Sequence, residues 1–194
     1  VSQPVLVLGS TSRYRAELLR RLVADFEQRS PGTDESPLPG ETPRERALRL
    51  AAAKARAAAE GLDDALVIGS DQVAELEGIV LDKPGTIEHA HAQLAACSGR
   101  EVHFHTALCL YDTRDGQSRV HVDHTRVHFR SLDAAEIDRY IERERPLDCA
   151  GSFKCEGLGI SLFERIDNED PSALIGLPLI ALARMLREAG LPLP

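Results

Sequence analysis

The apolar run Ala65-Leu66-Val67-Ile68, closed by Gly69-Ser70-Asp71-Gln72, constrains this chain more than any other stretch. It is too short for a helix and contains β-branched residues, so it reads as a buried strand, with Gly69 leaving room for close approach at its end. Open α/β sheets bind ligands outside the carboxyl ends of their strands. Asp71, placed where this strand runs out, is therefore a candidate reactive group. A turn aspartate that caps its own backbone is the competing reading.

The rest of the chain alternates strands with helices. Val5 to Leu8 reads as a strand that breaks at Gly9 into Ser10-Thr11-Ser12, with Ser12 capping an amphipathic helix from Arg13 to Ala24. A long Pro- and Gly-containing loop with Asp34 and Glu35 follows, and its length points to function. Thr42-Pro43-Arg44-Glu45 forms a capping box with Pro at the first helical position, opening a helix that runs to Glu60. Val73–Leu76 and Ile79–Leu81 around Glu77-Gly78 read as a hairpin. A helix over 87–97, two long strands over 101–111 and 118–130, a helix capped by Ser131, a Gly-rich segment over 151–159, a strand over 160–166 and a helix opened by Pro178 complete the series. This pattern predicts an α/β fold with a mixed sheet, in one compact domain or two joined lobes.

Composition narrows the partners. The net charge of -8 opposes binding to long nucleic acid, which depends on counterion release by a basic surface. No apolar stretch approaches the length of a membrane span, and Val1-Ser2-Gln3-Pro4 lacks the features of a signal peptide, so a cytoplasmic location without membrane association is the expectation. Cys97, Cys109, Cys149 and Cys155 show no CxxC spacing and read as reduced thiols. Of 23 basic residues, 20 are Arg and only Lys54, Lys83 and Lys154 are Lys. Retention of a compact ammonium fits a role at phosphate, most clearly for Lys83, because Arg and Lys are not interchangeable there. Chance survival of a solvated Lys is the alternative.

Three groupings could carry chemistry. The turn at Gly9 presents the hydroxyls of Ser10 and Ser12 and places Arg15 in a first helical turn, where the helix dipole disfavours a cation. A bound phosphate would account for that placement; ordinary capping beside a solvated Arg is the other reading. Neither an NTPase P-loop nor a dinucleotide fingerprint is present. Glu35 and Asp71, with Lys54 and Lys83, suggest a metal and phosphate site, since magnesium commonly uses one or two carboxylates with substrate phosphates and waters. The histidines offer less. His89 and His91 point to different helix faces, and His103 and His105 share a strand face without the spacing of a zinc site.

Ser10-Thr11-Ser12-Arg13-Tyr14-Arg15, Asp34-Glu35, Lys54, Gly69-Ser70-Asp71-Gln72, Lys83-Pro84, Ala150-Gly151-Ser152-Phe153-Lys154-Cys155-Glu156-Gly157 and Ile175-Gly176-Leu177-Pro178 together resemble the Maf family of nucleoside triphosphate pyrophosphatases, from Val5 to about Leu186. Gln72 and the stretch Phe153-Lys154-Cys155-Glu156 resemble its YceF-like branch, whose members hydrolyse 7-methyl-GTP. The resemblance implies a Maf-like fold, related to anticodon-binding and ITPase-like folds, with a twisted mixed sheet, flanking helices and a nucleotide cleft. It implies a divalent cation, Mg2+ or Mn2+, held by Glu35 and Asp71, with Asp71 as proton acceptor. Ser10, Ser12, Arg15, Lys54 and Lys83 would bind phosphates, Glu35, Lys54 and Lys83 would assist catalysis, and Tyr14, Gln72 and Glu156 would read the base. Arg13 stands where the family often has Pro, and Tyr14 where a close relative has Trp. A dTTP/UTP pyrophosphatase and a nucleotide-sensing cell-division regulator are the alternative functions, and a homodimer is the expected assembly.

Overall fold

The computed structural model describes residues 3–194; Val1 and Ser2, part of the segment read above for a signal peptide, lie outside them. Its secondary structure is β1 (Val5–Leu8), α1 (Arg13–Leu19), β2 (Glu27–Gln28), α2 (Pro43–Ala58), β3 (Ala65–Leu76), β4 (Ile79–Val80), α3 (Ile87–Cys97), β5 (Glu101–Asp112), β6 (Ser118–Phe129), α4 (Ala134–Glu144), β7 (Phe163–Asp167) and α5 (Leu179–Glu188). The strands form a seven-stranded sheet in the order β2-β1-β3-β5-β6-β7, with β4 paired to β3. β1 runs parallel to β2 and β3, while β3–β4 and β6–β7 are antiparallel, so the expected mixed α/β sheet is present. The chain divides into two compact units. The first comprises the chain up to Asp71, Thr106–Asp123 and Asp170–Pro194; the second comprises Gln72–His105 and His124–Glu169.

Strand alternation builds the first unit in layers. Successive strand residues point to opposite faces. Leu6, Leu8, Leu66 and Ile68 accordingly join Leu18 and Leu19 of α1 and Leu182, Met185 and Leu186 of α5 in one core. Val7, Ala65 and Val67 face the other way, onto Ala58 and Ala59 at the end of α2. α2 begins as the sequence dictates: Thr42 Oγ1 accepts from the Glu45 amide at 3.2 Å, and Glu45 accepts in return from the Thr42 amide at 2.9 Å.

In the second unit, Phe104, Phe129, Phe153 and Phe163 meet edge to face, with ring centroids 4.8–5.6 Å apart. α4 adds Ile137, Tyr140 and Ile141, spaced as one helical stripe. On β5, His103 and His105 stack with His124 of β6 at 5.0 and 5.1 Å, and His105 Nε2 lies 2.7 Å from Glu75.

Four sequence expectations change. β3 does not run out before Asp71; it continues to Leu76, which places Asp71 in mid-strand. Gly69 does leave room for close approach, but inside the strand rather than at its end, because a Cβ there would lie 2.1 Å from the Ala51 carbonyl oxygen and 2.5 Å from the Ala55 amide nitrogen of α2. α1 stops at Leu19 instead of Ala24, since the Arg21 and Leu22 amides bond to Leu18 and Leu19 and tighten the chain into turns. α4 is capped by Asp133, not Ser131, because Asp133 and Glu136 form their own capping box. β2 gave no sequence signal: it is two exposed polar residues paired only with β1.

Gly69→Ala should lower the urea midpoint by the equivalent of about 1–3 kcal/mol, the usual cost of overpacking a close contact. Equilibrium unfolding measures this directly, and an unchanged midpoint would refute the tight α2–β3 packing.

Candidate active site

The Ser10–Arg15 turn is held by its own side chains. Ser12 caps α1 by accepting from the Arg15 amide at 3.4 Å, and the Ser12 amide donates to Ser10 Oγ at 3.1 Å. Gln28 anchors the turn from β2, its Nε2 donating to the Ser10 carbonyl at 2.7 Å. Arg15 does not reach into solvent, as a simply misplaced cation would. Its Nε donates to the Gly176 carbonyl at 2.9 Å and its Nη1 to Ser10 Oγ at 3.4 Å. Burial lowers the Arg15 pKa, and the fields of Asp71 and Glu35 act against that lowering. The guanidinium is thus fixed on one side and electrostatically directed toward the two acids on the other.

Those acids meet at one ammonium. Lys54 Nζ lies 2.7 Å from Asp71 Oδ1 and 2.7 Å from Glu35 Oε1. Lys54 and Asp71 are 6% and 7% exposed, whereas the Glu35 side chain is 57% exposed. A buried charge is costly unless it is paired, and here each buried partner satisfies the other while Glu35 closes the pair on its solvent side. Burial raises the Asp71 pKa above the usual carboxylate value; Lys54 and Arg15 pull it down, and Glu35 pushes it up. Burial outweighs the cation in contact with it, because Asp71 is 7% exposed and the single ammonium of Lys54 is shared with Glu35. The result is an ionisable base with more proton affinity than a surface aspartate.

Asp71 is thus an interior strand residue in a buried ion pair rather than a turn cap. Ser70, before it, faces the other way: its hydroxyl bridges to the Ala107 and Gly176 carbonyls at 2.8 and 3.0 Å. The Gly176 carbonyl therefore serves both Ser70 and Arg15. Its role was not legible, because a backbone oxygen has no signature in sequence beyond the glycine, and Gly176 adopts φ 134°.

The first unit brings together Ser10, Ser12, Arg15, Glu35, Lys54 and Asp71. Tyr14, also in that unit, is half-buried; the Arg13 guanidinium lies over its ring at 4.9 Å and donates to its hydroxyl at 3.2 Å. Gln72, Lys83 and Glu156 belong to the second unit. Gln72 is half-buried and follows Asp71 along β3, Lys83 is exposed after β4, and Glu156 is exposed beside Cys155.

Among the described residues, no group of three or more His, Cys, Asp or Glu is arranged to hold a metal ion. Glu35 and Asp71 do fit the lighter requirement of magnesium, whose remaining positions are filled by phosphate oxygens and water. The cysteines are free, and burial pushes the Cys97, Cys149 and Cys155 thiols up to about 12, which disfavours nucleophilic thiolates. No helix among the described residues is long and apolar enough to cross a membrane.

The family model described as Maf-like protein matches residues 5–189. The chain is 60% identical to the 7-methyl-GTP pyrophosphatase of Burkholderia thailandensis, over 99% of this chain and 91% of that one. It is 57% identical to the 7-methyl-GTP pyrophosphatase of Xanthomonas oryzae pv. oryzae, over 98% of this chain and 100% of that one. A solved structure of the Staphylococcus aureus Ham1 protein aligns with a TM-score of 0.44 and 20% identity, covering 64% of this chain and 71% of that one, a partial likeness that adds nothing about the site. With a match that runs from β1 to just past the end of α5, and relatives this similar along at least 91% of their length, the chain belongs to the Maf-like protein family.

Proposed function

We propose that this protein is a nucleoside triphosphate pyrophosphatase that hydrolyses 7-methyl-GTP to 7-methyl-GMP and diphosphate, clearing a modified nucleotide from the pool. The observation that carries the chemistry is the buried Asp71, paired to Lys54 yet raised in pKa. The substrate reading is supported by the names of relatives that share more than half of this sequence. The reading of Gln72 and Glu156 as groups that hydrogen-bond a guanine edge, and of Tyr14 as a stacking surface for a cationic purine, rests on the family resemblance and on side-chain chemistry.

In this mechanism Asp71 accepts a proton from a water as that water attacks the α-phosphorus. The new P–O bond forms as the bond from the α-phosphorus to the bridging oxygen breaks, and diphosphate leaves with the electron pair. Lys54 fixes the Asp71 carboxylate in one rotamer. Arg15, with Ser10 and Ser12, offers donors to phosphate oxygens; a phosphate role for Lys83 rests on the family resemblance alone. Two cations, Lys54 and Arg15, already balance the two carboxylates, so the cluster has no surplus charge for a triphosphate. A divalent cation, Mg2+ or Mn2+, held by Glu35 and Asp71 would supply that charge and stabilise the developing negative charge on the phosphates. A cytoplasmic setting agrees with the free thiols.

Purified protein with Mg2+ should convert 7-methyl-GTP to the monophosphate and diphosphate, and chelation by EDTA should abolish turnover reversibly. Preferential turnover of dTTP or UTP would replace the substrate reading with that of the sister branch, and a cell-division effect that survives loss of hydrolysis would favour the regulator.

Asp71→Asn should lower kcat by about 10²–10⁴-fold, the range for a lost general base. The same variant should also melt lower than the parent, because Asn leaves the ammonium of Lys54, 6% exposed, with Glu35 as its remaining acid. Activity is therefore compared below both melting temperatures, where an unchanged kcat would show instead that Asp71 is chiefly structural.

A further inference from the structure

The loop that delivers Glu35 is strapped to α2 at three points. Arg46 Nη2 donates to the Glu35 carbonyl at 3.2 Å, and Arg49 Nη2 donates to the Ser36 carbonyl at 3.1 Å. Arg49 also pairs with Glu41 through two bonds, Nε to Oε1 at 2.5 Å and Nη2 to Oε2 at 2.8 Å. Glu41 is no ordinary surface acid: its side chain is 8% exposed, its Oε2 accepts from the Leu38 amide at 3.2 Å, and Arg49 holds its pKa down to about 2. The tip of the loop is stiffened from within, where Asp34 Oδ1 accepts from the Ser36 amide and hydroxyl at 2.9 and 2.6 Å.

Helical spacing explains why these contacts act together. Arg46, Arg49 and Lys54 fall within about 140° of one side of α2, spread along roughly 12 Å of its axis. Glu35 is thereby held twice by the same helix, through its carbonyl by Arg46 and through its carboxylate by Lys54. Without the straps, a side chain that is 57% exposed, on a loop with no regular structure from Arg29 to Thr42, would have many positions to occupy.

We propose that Arg49, with its partner Glu41 and with Arg46, is a positioning residue that acts through Glu35, setting the carboxylate at Lys54 and beside Asp71. This rests on the proposed pyrophosphatase reading for its effect on rate, but not for its effect on the loop. A geometric contribution of this kind is lost in kcat rather than in uniform binding, because displacement of a catalytic group by a fraction of its length already slows a reaction.

The test is a double-mutant cycle on the full chain with 7-methyl-GTP and Mg2+, accompanied by amide hydrogen exchange of residues 33–41. R49Q should lower kcat about tenfold with KM within about twofold of the parent, and E41Q should do the same from the loop side without altering α2. In an E35Q background neither change should cost further activity, since the group being positioned is already lost. Exchange across 33–41 should rise in both R49Q and E41Q. Unchanged kcat in both variants, or an R49Q loss as large with E35Q as without it, would overturn the proposal. So would unchanged loop exchange, a readout that stands even if the parent protein fails to turn over 7-methyl-GTP; that failure would sink the substrate reading alone.

Discussion

The buried charge cluster of the first unit is organised around one ammonium in an almost dry place. Lys54 can remain there only because Asp71 and Glu35 each contact it at 2.7 Å. It reaches them because α2 packs on β1 and β3 where the chain carries no side chain, at Gly9 just past β1 and at Gly69 within β3. Gly9 and Gly69 permit that approach: a Cβ on Gly9 would come within 2.8 Å of Ala58 and 2.9 Å of the Lys54 carbonyl, and one on Gly69 would overlap α2 outright. The packing of a helix on two strands and the placement of a buried lysine are here a single constraint. A small residue in the strand brings the helix backbone in, and the helix then delivers its lysine.

The same arrangement explains how an aspartate can serve as a base although it is paired with a lysine. In water such a pair would leave Asp71 an ordinary weak base. Burial works in the opposite direction, and the nearby Glu35 adds a second negative charge that Lys54 must share. Arg15 balances the charge from a fixed position, tied to the Gly176 carbonyl. A neutral cluster of two acids and two bases is tolerated inside a protein, and under the proposed function it leaves no surplus positive charge for an incoming triphosphate.

Sequence reasoning reached the residues of this site but not its geometry. Glu35, Lys54 and Asp71 were legible because carboxylates and rare lysines beside apolar strands and a capped helix are chemically conspicuous. The extent of β3 was not legible, because a glycine in an apolar run signals a strand end as readily as a close contact, and only the position of α2 decides between them. The C-terminal end of α1 and the cap of α4 depart from the sequence expectation for a related reason: competing local hydrogen bonds differ by less than tertiary contacts contribute. The Arg49–Glu41 strap had no signature at all, since a basic and an acidic residue eight apart look like any two solvated charges.

The pH dependence of kcat/KM for 7-methyl-GTP tests the account most directly, because it reports the protonation of the free enzyme's essential base. A buried Asp71 acting as that base predicts activity that falls on acidification with a midpoint above the ordinary aspartate value of about 3.9. The residual activity of Asp71→Asn should lack that limb. An acid limb that persists unchanged in Asp71→Asn would contradict the account and assign the base elsewhere.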